Sequence, residues 1–367
     1  MRSSFASFAA LRETSLDLPR SRKARQEIRK DASGSRCPAL PSAACVTYNR
    51  WSVETLLQIF IDKNGTVRSG WRAGIFLFAF IVASVVLGTI SQVFMRVAFP
   101  DGQVGQLVYL TVSSLTAIIP AIVIGWLCGR WLEKLPFSAL GASFSNGWLK
   151  HLALGLVIGA LTLTIAVLFA FVFGGERFEL NLAGGWQPVL QSLAVSFGVF
   201  AIAAAFEEAL FRGYILQTFA RSDLAWLAIL LTSLFFGMVH LGNPNAGLIS
   251  TLNTILAGLW FSIAYLKTRD LWLVWGLHLM WNWMQGSFFG IEVSGLTDIT
   301  TNPLFREIDT GPTWLTGTTY GIEGGIACTV ALTASMIAIH LWKSAPVEQS
   351  ATVLTADKAD DADKEIN

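Results

Sequence analysis

The segment from Pro188 to Phe219 is almost wholly apolar, yet it carries Glu207, Glu208 and Arg212. A charge at the centre of a membrane-spanning helix costs about 2.5–3.5 kcal/mol on insertion scales, so it calls for a partner or a task. Glu208 and Arg212 are four residues apart, share a helical face and can pair. Glu207 is rotated about 100° from Glu208 and has no basic residue one turn away in either direction. One carboxylate is neutralised and the other is left over. Without any chemistry, the same residues make a buried salt bridge and a protonated carboxyl.

Two histidines follow on later apolar runs. Phe236 stands one turn before His240, and His278 stands one turn before Asn282, so each pair lies on one helical face. Either histidine alone reads as a packed residue bonded to a carbonyl. The chain has only four, and the other two, His151 and His340, fall at the start of the third span and near the end of the last. A glutamate, two histidines and an asparagine within three apolar helices are hard to explain as packing.

The chemistry these groups suit is water activation. An unpaired carboxylate in a dry site serves as a general base, and an imidazole beside it holds the same water or passes a proton. The Asn282 amide and a His278 ring N–H can bond the oxyanion of a tetrahedral intermediate. Together the parts describe peptide-bond hydrolysis within a membrane. Glu207, His240 and His278 are also the zinc ligand set the sequence offers, because imidazole and carboxylate both suit that ion. Charge weighs against a metal: with Glu208 engaged by Arg212, a single spare carboxylate would face a divalent ion. No cofactor is favoured.

These residues need helices to hold them. Hydrophobic residues make up 53% of the 367, charged residues only 14%, and mean hydropathy is +0.54. A soluble domain averages about 25% charged. Apolar runs long enough to cross a bilayer recur, which predicts an all-α polytopic membrane protein. Eight spans are expected, at 73–95, 106–128, 149–173, 188–219, 225–242, 246–266, 271–289 and 322–342, with Pro120 kinking the second. Residues 1–50 read as a disordered basic segment without a secretory signal, 51–72 as an amphipathic lead-in, 73–343 as the membrane domain and 344–367 as a polar tail. The stretch 290–320 is too polar and broken to span. Cys37, Cys45, Cys128 and Cys328 form no metal-ligand or disulfide pattern.

Short-loop basic residues set the orientation. Arg50, Lys63, Arg68, Arg72, Arg130, Lys134, Lys150, Arg221, Lys267, Arg269 and Lys343 collect on one side, and only Arg96, Arg177 and Arg306 on the other. Eleven against three places both termini in the cytoplasm. Depth fits less well. Glu207 lies about 10–12 residues from the inner end of its helix and His240 about 15, roughly 22 Å at 1.5 Å per residue, so the two meet only if the helices tilt or the fifth span starts beneath the surface.

The ordered set Glu207-Glu208-x-x-x-Arg212, Phe236-x-x-x-His240 and His278-x-x-x-Asn282 resembles the three motifs of the CPBP family, the CAAX-prenyl-protease and bacteriocin-processing intramembrane proteases also called Abi. The flanks agree: Phe211-Arg212-Gly213-Tyr214 after the acid pair, and Lys267-Thr268-Arg269-Asp270-Leu271-Trp272 before the last motif. The likeness covers roughly residues 58 to 343. It implies that Glu207 is the catalytic base and His240 its partner on the water. His278 and Asn282 would stabilise the oxyanion, and Glu208, Arg212 and Phe236 would support the site. The family has been classed both as metalloproteases and as metal-independent glutamate proteases. Implied partners are a membrane-associated or lipidated peptide substrate and the bilayer, with no nucleic acid, in the cell (inner) membrane. A proton-coupled transporter and a non-catalytic membrane scaffold are the competing readings. The lack of internal repeats weighs against the first and the complete motif set against the second.

Overall fold

The computed structural model describes residues 57–342 apart from 64, 102–103, 145–146, 298 and 300. The expected N-terminal segment, most of the lead-in and the polar tail lie outside the described residues.

The first helices are α1 (Ser69–Ala98), α2 (Gln106–Leu132) and α3 (Trp148–Val172). Strand β1 (Glu176–Leu180) follows, then α4 (Trp186–Glu208), a wide π turn (Ala209–Ile215) and α5 (Leu216–Ala220). Next come α6 (Ala225–Val239), α7 (Leu248–Thr268) and α8 (Leu271–Trp283), the last continued by a second π turn (Met284–Phe288). Strand β2 (Phe305–Asp309), the single turn α9 (Thr313–Thr316) and α10 (Ile326–Leu341) complete the described chain. It is an all-α membrane fold, and every expected span falls on a helix.

The count of eight full spans needs correction. Among the described residues, six helices are long and apolar enough to cross a membrane: α1, α2, α3, the continuous run Trp186–Ala220, Ala225–Gly242 and α7. The other two are shorter, with 13 residues in α8 and 16 in α10. The reason for α8 is its position. Leu271, Leu273, Val274, Gly276, Leu277, His278, Leu279 and Trp281 are all buried, so α8 is enclosed by protein and need not match the bilayer thickness. By contrast α1 exposes Phe78, Val85, Ile90, Val93 and Phe94, an apolar surface suited to lipid. Helix α2 runs on through Pro120.

Close packing of α3 on α8 sets the position of the last motif. A methyl group added at Gly155 would collide with the Leu273 carbonyl, and one at Gly159 with the Leu277 carbonyl. Small residues four apart let two helix backbones approach within a membrane. At the end of the same pair, His151 Nδ1 meets Asp270 Oδ2 at 2.6 Å, while Asp270 caps α8 by accepting from the Trp272 N–H.

One feature was not expected. The stretch read as irregular loop contains β2, which pairs antiparallel with β1 in the register Glu176↔Asp309, Phe178↔Glu307 and Leu180↔Phe305. At the other end of the bundle, Glu133 just past α2 pairs with Arg72 of α1 at 2.8 Å and with Arg221 after α5 at 3.0 Å. Burial raises the Glu133 pKa, but the hydrogen bond and charge of Arg221 and the charge of Arg72 outweigh it, and the net shift is downward.

Candidate active site

Glu207, His240 and Asn282 sit at or beside irregularities in their helices, whereas His278 lies within regular α8. Glu207 and Glu208 are the last residues of α4, directly before the first π turn. His240 follows the last residue of α6, where the helix tightens into a 3-10 turn at His240–Gly242. Asn282 lies one residue from the end of α8, ahead of the second π turn. Such breaks in regular winding recur at functional sites, because they re-aim side chains that a uniform helix would carry past one another.

A cavity of about 220 Å³ gathers Glu207, His240, His278 and Asn282 into one lining. Phe236 lines it too, and its ring centroid lies 4.6 Å from that of His240. The depth mismatch between Glu207 and His240 is therefore closed by the packing. Glu207 Oε2 is buried and has no hydrogen-bond partner, and it stands 3.8 Å from His278 Nε2. Glu207 thus faces an imidazole.

Glu208 lies outside this lining and has two partners where one was expected. Its Oε1 accepts from Arg212 Nη1 at 3.0 Å and from His278 Nδ1 at 2.8 Å. Arg212 also donates through Nη2 to the Gly258 carbonyl at 3.0 Å. Its guanidinium carbon stands 5.6, 5.1 and 5.0 Å from the ring centroids of Phe211, Phe236 and Phe261. A fully buried guanidinium is thus held by one carboxylate, one carbonyl and three aromatic faces. Phe261 stacks in turn on His278, with centroids 4.5 Å apart.

Both histidines are anchored through Nδ1. His240 Nδ1 lies 2.7 Å from the Phe236 carbonyl, which can only accept, so this nitrogen carries the proton. The carboxylate at His278 imposes the same assignment. Nε2 is then the free nitrogen of each ring. In neutral His278 it bears a lone pair, so donating to an oxyanion from Nε2 requires a proton on both ring nitrogens.

The zinc arrangement is not assembled. Glu207, His240 and His278 share a cavity, but among the described residues no three His, Cys, Asp or Glu side chains converge as a metal site.

The cavity also holds groups that sequence reasoning missed. Glu323 belongs to it, accepting from Trp281 Nε1 at 3.0 Å and from Ser294 Oγ at 2.7 Å. Asn253 lines it as well and donates to the Glu323 and Gly325 carbonyls, both at 2.8 Å. The only signal for Glu323 was a lone acid among glycines at the start of the last apolar run, which reads as an ordinary helix N-terminal charge. His151 and His340 are not brought to the cavity.

The helical bundle thus gathers a carboxylate, two imidazoles and an amide around one cavity. Residues 188–284 match the family described as type II CAAX prenyl endopeptidase Rce1-like. All three motifs, from Glu207 to Asn282, fall inside that segment, which supports a CPBP/CAAX-protease assignment. The family implies a protease. The chain is also 27% identical over 178 residues to "Uncharacterized 24.3 kDa protein" of Escherichia coli, a match covering 47% of this chain and 76% of that relative. It is 25% identical over 228 residues to "Uncharacterized protein YyaK" of Bacillus subtilis, covering 58% and 71%.

Proposed function

We propose that the protein is an intramembrane endopeptidase that hydrolyses a peptide bond of a membrane-associated or lipidated substrate by water activated at Glu207 and His240. The observation that carries this reading is the shared cavity of Glu207, His240, His278 and Asn282, with Glu207 Oε2 buried and without a hydrogen-bond partner.

Water held between Glu207 and the free Nε2 of His240 gives its proton to Glu207 as its oxygen attacks the substrate carbonyl. His240 suits this position because its Nδ1–H is fixed on the Phe236 carbonyl, leaving Nε2 as an acceptor. The oxyanion is bonded by the Asn282 amide and by His278 Nε2–H. A doubly protonated His278 is consistent with its setting, because two carboxylates, Glu207 and Glu208, then face two cations, Arg212 and His278. A site organised around the charge that develops contributes more in a dry cavity than it would in water. The proton on Glu207 finally passes to the amine nitrogen as the C–N bond breaks, and the carboxylate is restored.

The test is peptide turnover by detergent-purified protein. Glu207→Gln keeps the shape of the side chain and removes the base, so turnover is expected to fall about 10²–10⁴-fold while the protein stays folded. Activity is expected to survive exhaustive chelation. Normal cleavage by Glu207→Gln, or loss on chelation with recovery on adding zinc, would overturn the reading.

A further inference from the structure

Two adjacent residues of α4 line different cavities. Glu207 lines the one that holds His240 and Asn282, whereas Glu208 lines a second, of about 180 Å³, and the two share no lining residue among those described. The second lies between α2, the end of α4 and the start of α8. Small side chains open it: Ala121 of α2, Ala142, Ala205 and Ala209, with Gly213 in the π turn. Its lining carries no Lys, Arg, Ser, Thr, Asn or Gln. Its one acid, Glu208, has Oε1 occupied by Arg212 and His278. An apolar protein cavity of about 150 Å³ stays dry and takes benzene or xenon instead.

The mouth opens on lipid. Ile118 and Ile122 on its rim are half-buried, and the α2 side chains beside them, Leu115, Ile119 and Val123, are 45, 56 and 43% exposed. Aromatic rings frame the cavity toward the end of the bundle that carries Arg72 and Arg221. Between centroids, the Trp272 ring lies 5.0 Å from Phe144 and 4.9 Å from Trp148, and the Phe137 ring lies 6.4 Å from Trp126. Tryptophan gathers at the level of lipid head groups. From the rim, an i, i+4 ridge of α2 runs through Ile118, Ile122, Trp126 and Arg130. Arg130 is exposed in the last turn of the helix, its guanidinium carbon 5.9 Å from the Trp126 centroid. Two steps of four residues separate it from Ile122, about 12 Å at 1.5 Å per residue. A glycerophospholipid covers such a span between its phosphate and the upper half of an acyl chain.

We propose that this cavity holds one acyl chain of a glycerophospholipid, with the phosphate of that lipid on Arg130. Lipid tails are as apolar as the lining, so no hydrophobic transfer favours the site. A void open to the bilayer instead forfeits dispersion contacts that a chain restores, and the charge on Arg130 fixes the head group. A lipid carried by the peptide substrate fits less well. Glu208 in this lining and His278 in the other are joined by their hydrogen bond, so side chains of the site stand between the two cavities. The acyl chain backs Glu208 without meeting the scissile bond.

The test uses full-length protein in phosphatidylcholine nanodiscs with a trace of phosphatidylglycerol that carries a diazirine at mid-chain. After irradiation, label is expected to concentrate on residues 118–122 and 271–275 rather than on the lipid-facing Phe78, Val85 and Phe94 of α1. Ala121→Leu with Ala142→Leu fills the space and is expected to remove that concentration. Arg130→Gln is expected to weaken it about fivefold, the scale of one basic residue beside an anionic head group. A diacylglycerol probe with the same chain should label the site less than the phospholipid by a similar factor, with no response to Arg130→Gln. Thermal denaturation checks that the variants are folded, and the wild-type map with two probes tests the idea without any variant. Label spread evenly over α1 and α2, or equal labelling by the two probes, overturns the proposal. Displacement of the label by an equimolar lipidated peptide also overturns it, and assigns the cavity to the substrate. No peptide is cleaved in this assay, so its outcome is separate from that of the endopeptidase reading.

Discussion

Glu208 Oε1 binds Arg212 Nη1 at 3.0 Å and His278 Nδ1 at 2.8 Å, so one oxygen ties α4 to its own next turn and to a helix 70 residues away. A substitution at Glu208 acts on both contacts. Glu208→Gln leaves a fully buried guanidinium without its counter-charge and frees the His278 ring. Breaking a buried pair from one side costs about 3–5 kcal/mol. Glu208→Gln is therefore expected to lower Tm markedly and activity with it, whereas Glu207→Gln lowers activity alone. Thermal denaturation beside turnover for the two purified variants checks this. A stable, inactive Glu208→Gln together with an active Glu207→Gln would reverse the roles.

The approach of α3 to α8 gives a second prediction. Gly159→Ala directs a methyl at the Leu277 carbonyl, immediately before His278, whereas Gly74 of α1 has open space where its Cβ would lie. Overpacking of this kind costs about 1–3 kcal/mol. Gly159→Ala is expected to lower Tm and to reduce turnover by displacing His278, and Gly74→Ala to change neither.

The β-ribbon makes stability depend on pH. Burial, with the Asp309 charge beside it, pushes the Glu176 carboxyl up to about 8. Burial and then the charges of Glu176, Glu292 and Asp309 push Glu307 up to about 9. Both Glu176 oxygens lack hydrogen-bond partners. In the unfolded chain a glutamate loses its proton near about 4.3. The folded state thus holds protons that the unfolded state has released. The contribution of these groups is present in full below the unfolded pKa, declines as pH rises and is lost through about 8 to about 9. Glu176→Gln with Glu307→Gln is expected to narrow the difference in Tm between acid and alkaline buffer. A profile identical to wild type would contradict the assignment.

Orientation rests on the basic loops. The Arg72–Glu133–Arg221 cluster joins the start of α1, the end of α2 and the end of α5, so three of the basic segments share one end of the bundle. A reporter active only outside the cytoplasm is expected to be active when fused after Ala246 or Thr310 and silent after Arg221. Activity after Arg221 would invert the orientation.

Much of this was legible in the sequence. Hydropathy located the long helices, because burial of backbone polar groups in a bilayer leaves an apolar chain little choice but to wind into one. The i, i+4 spacings located Glu208 with Arg212, Phe236 with His240 and His278 with Asn282, because those relationships are local to one helix. What spacing does not carry is distance between helices. That His278 shares an oxygen of Glu208 with Arg212, that Glu323 joins the cavity from the far end of a loop, and that Glu176 meets Asp309 across a ribbon all depend on tertiary packing. The same holds for α8, which reads as a span by composition and is instead an enclosed helix brought close to α3 by Gly155 and Gly159. Sequence alone determined which residues carry charge into the membrane. The tertiary structure decided which charges meet, because pairing in a dry interior is set by the contacts between helices, and these follow from side-chain volume across distant parts of the chain.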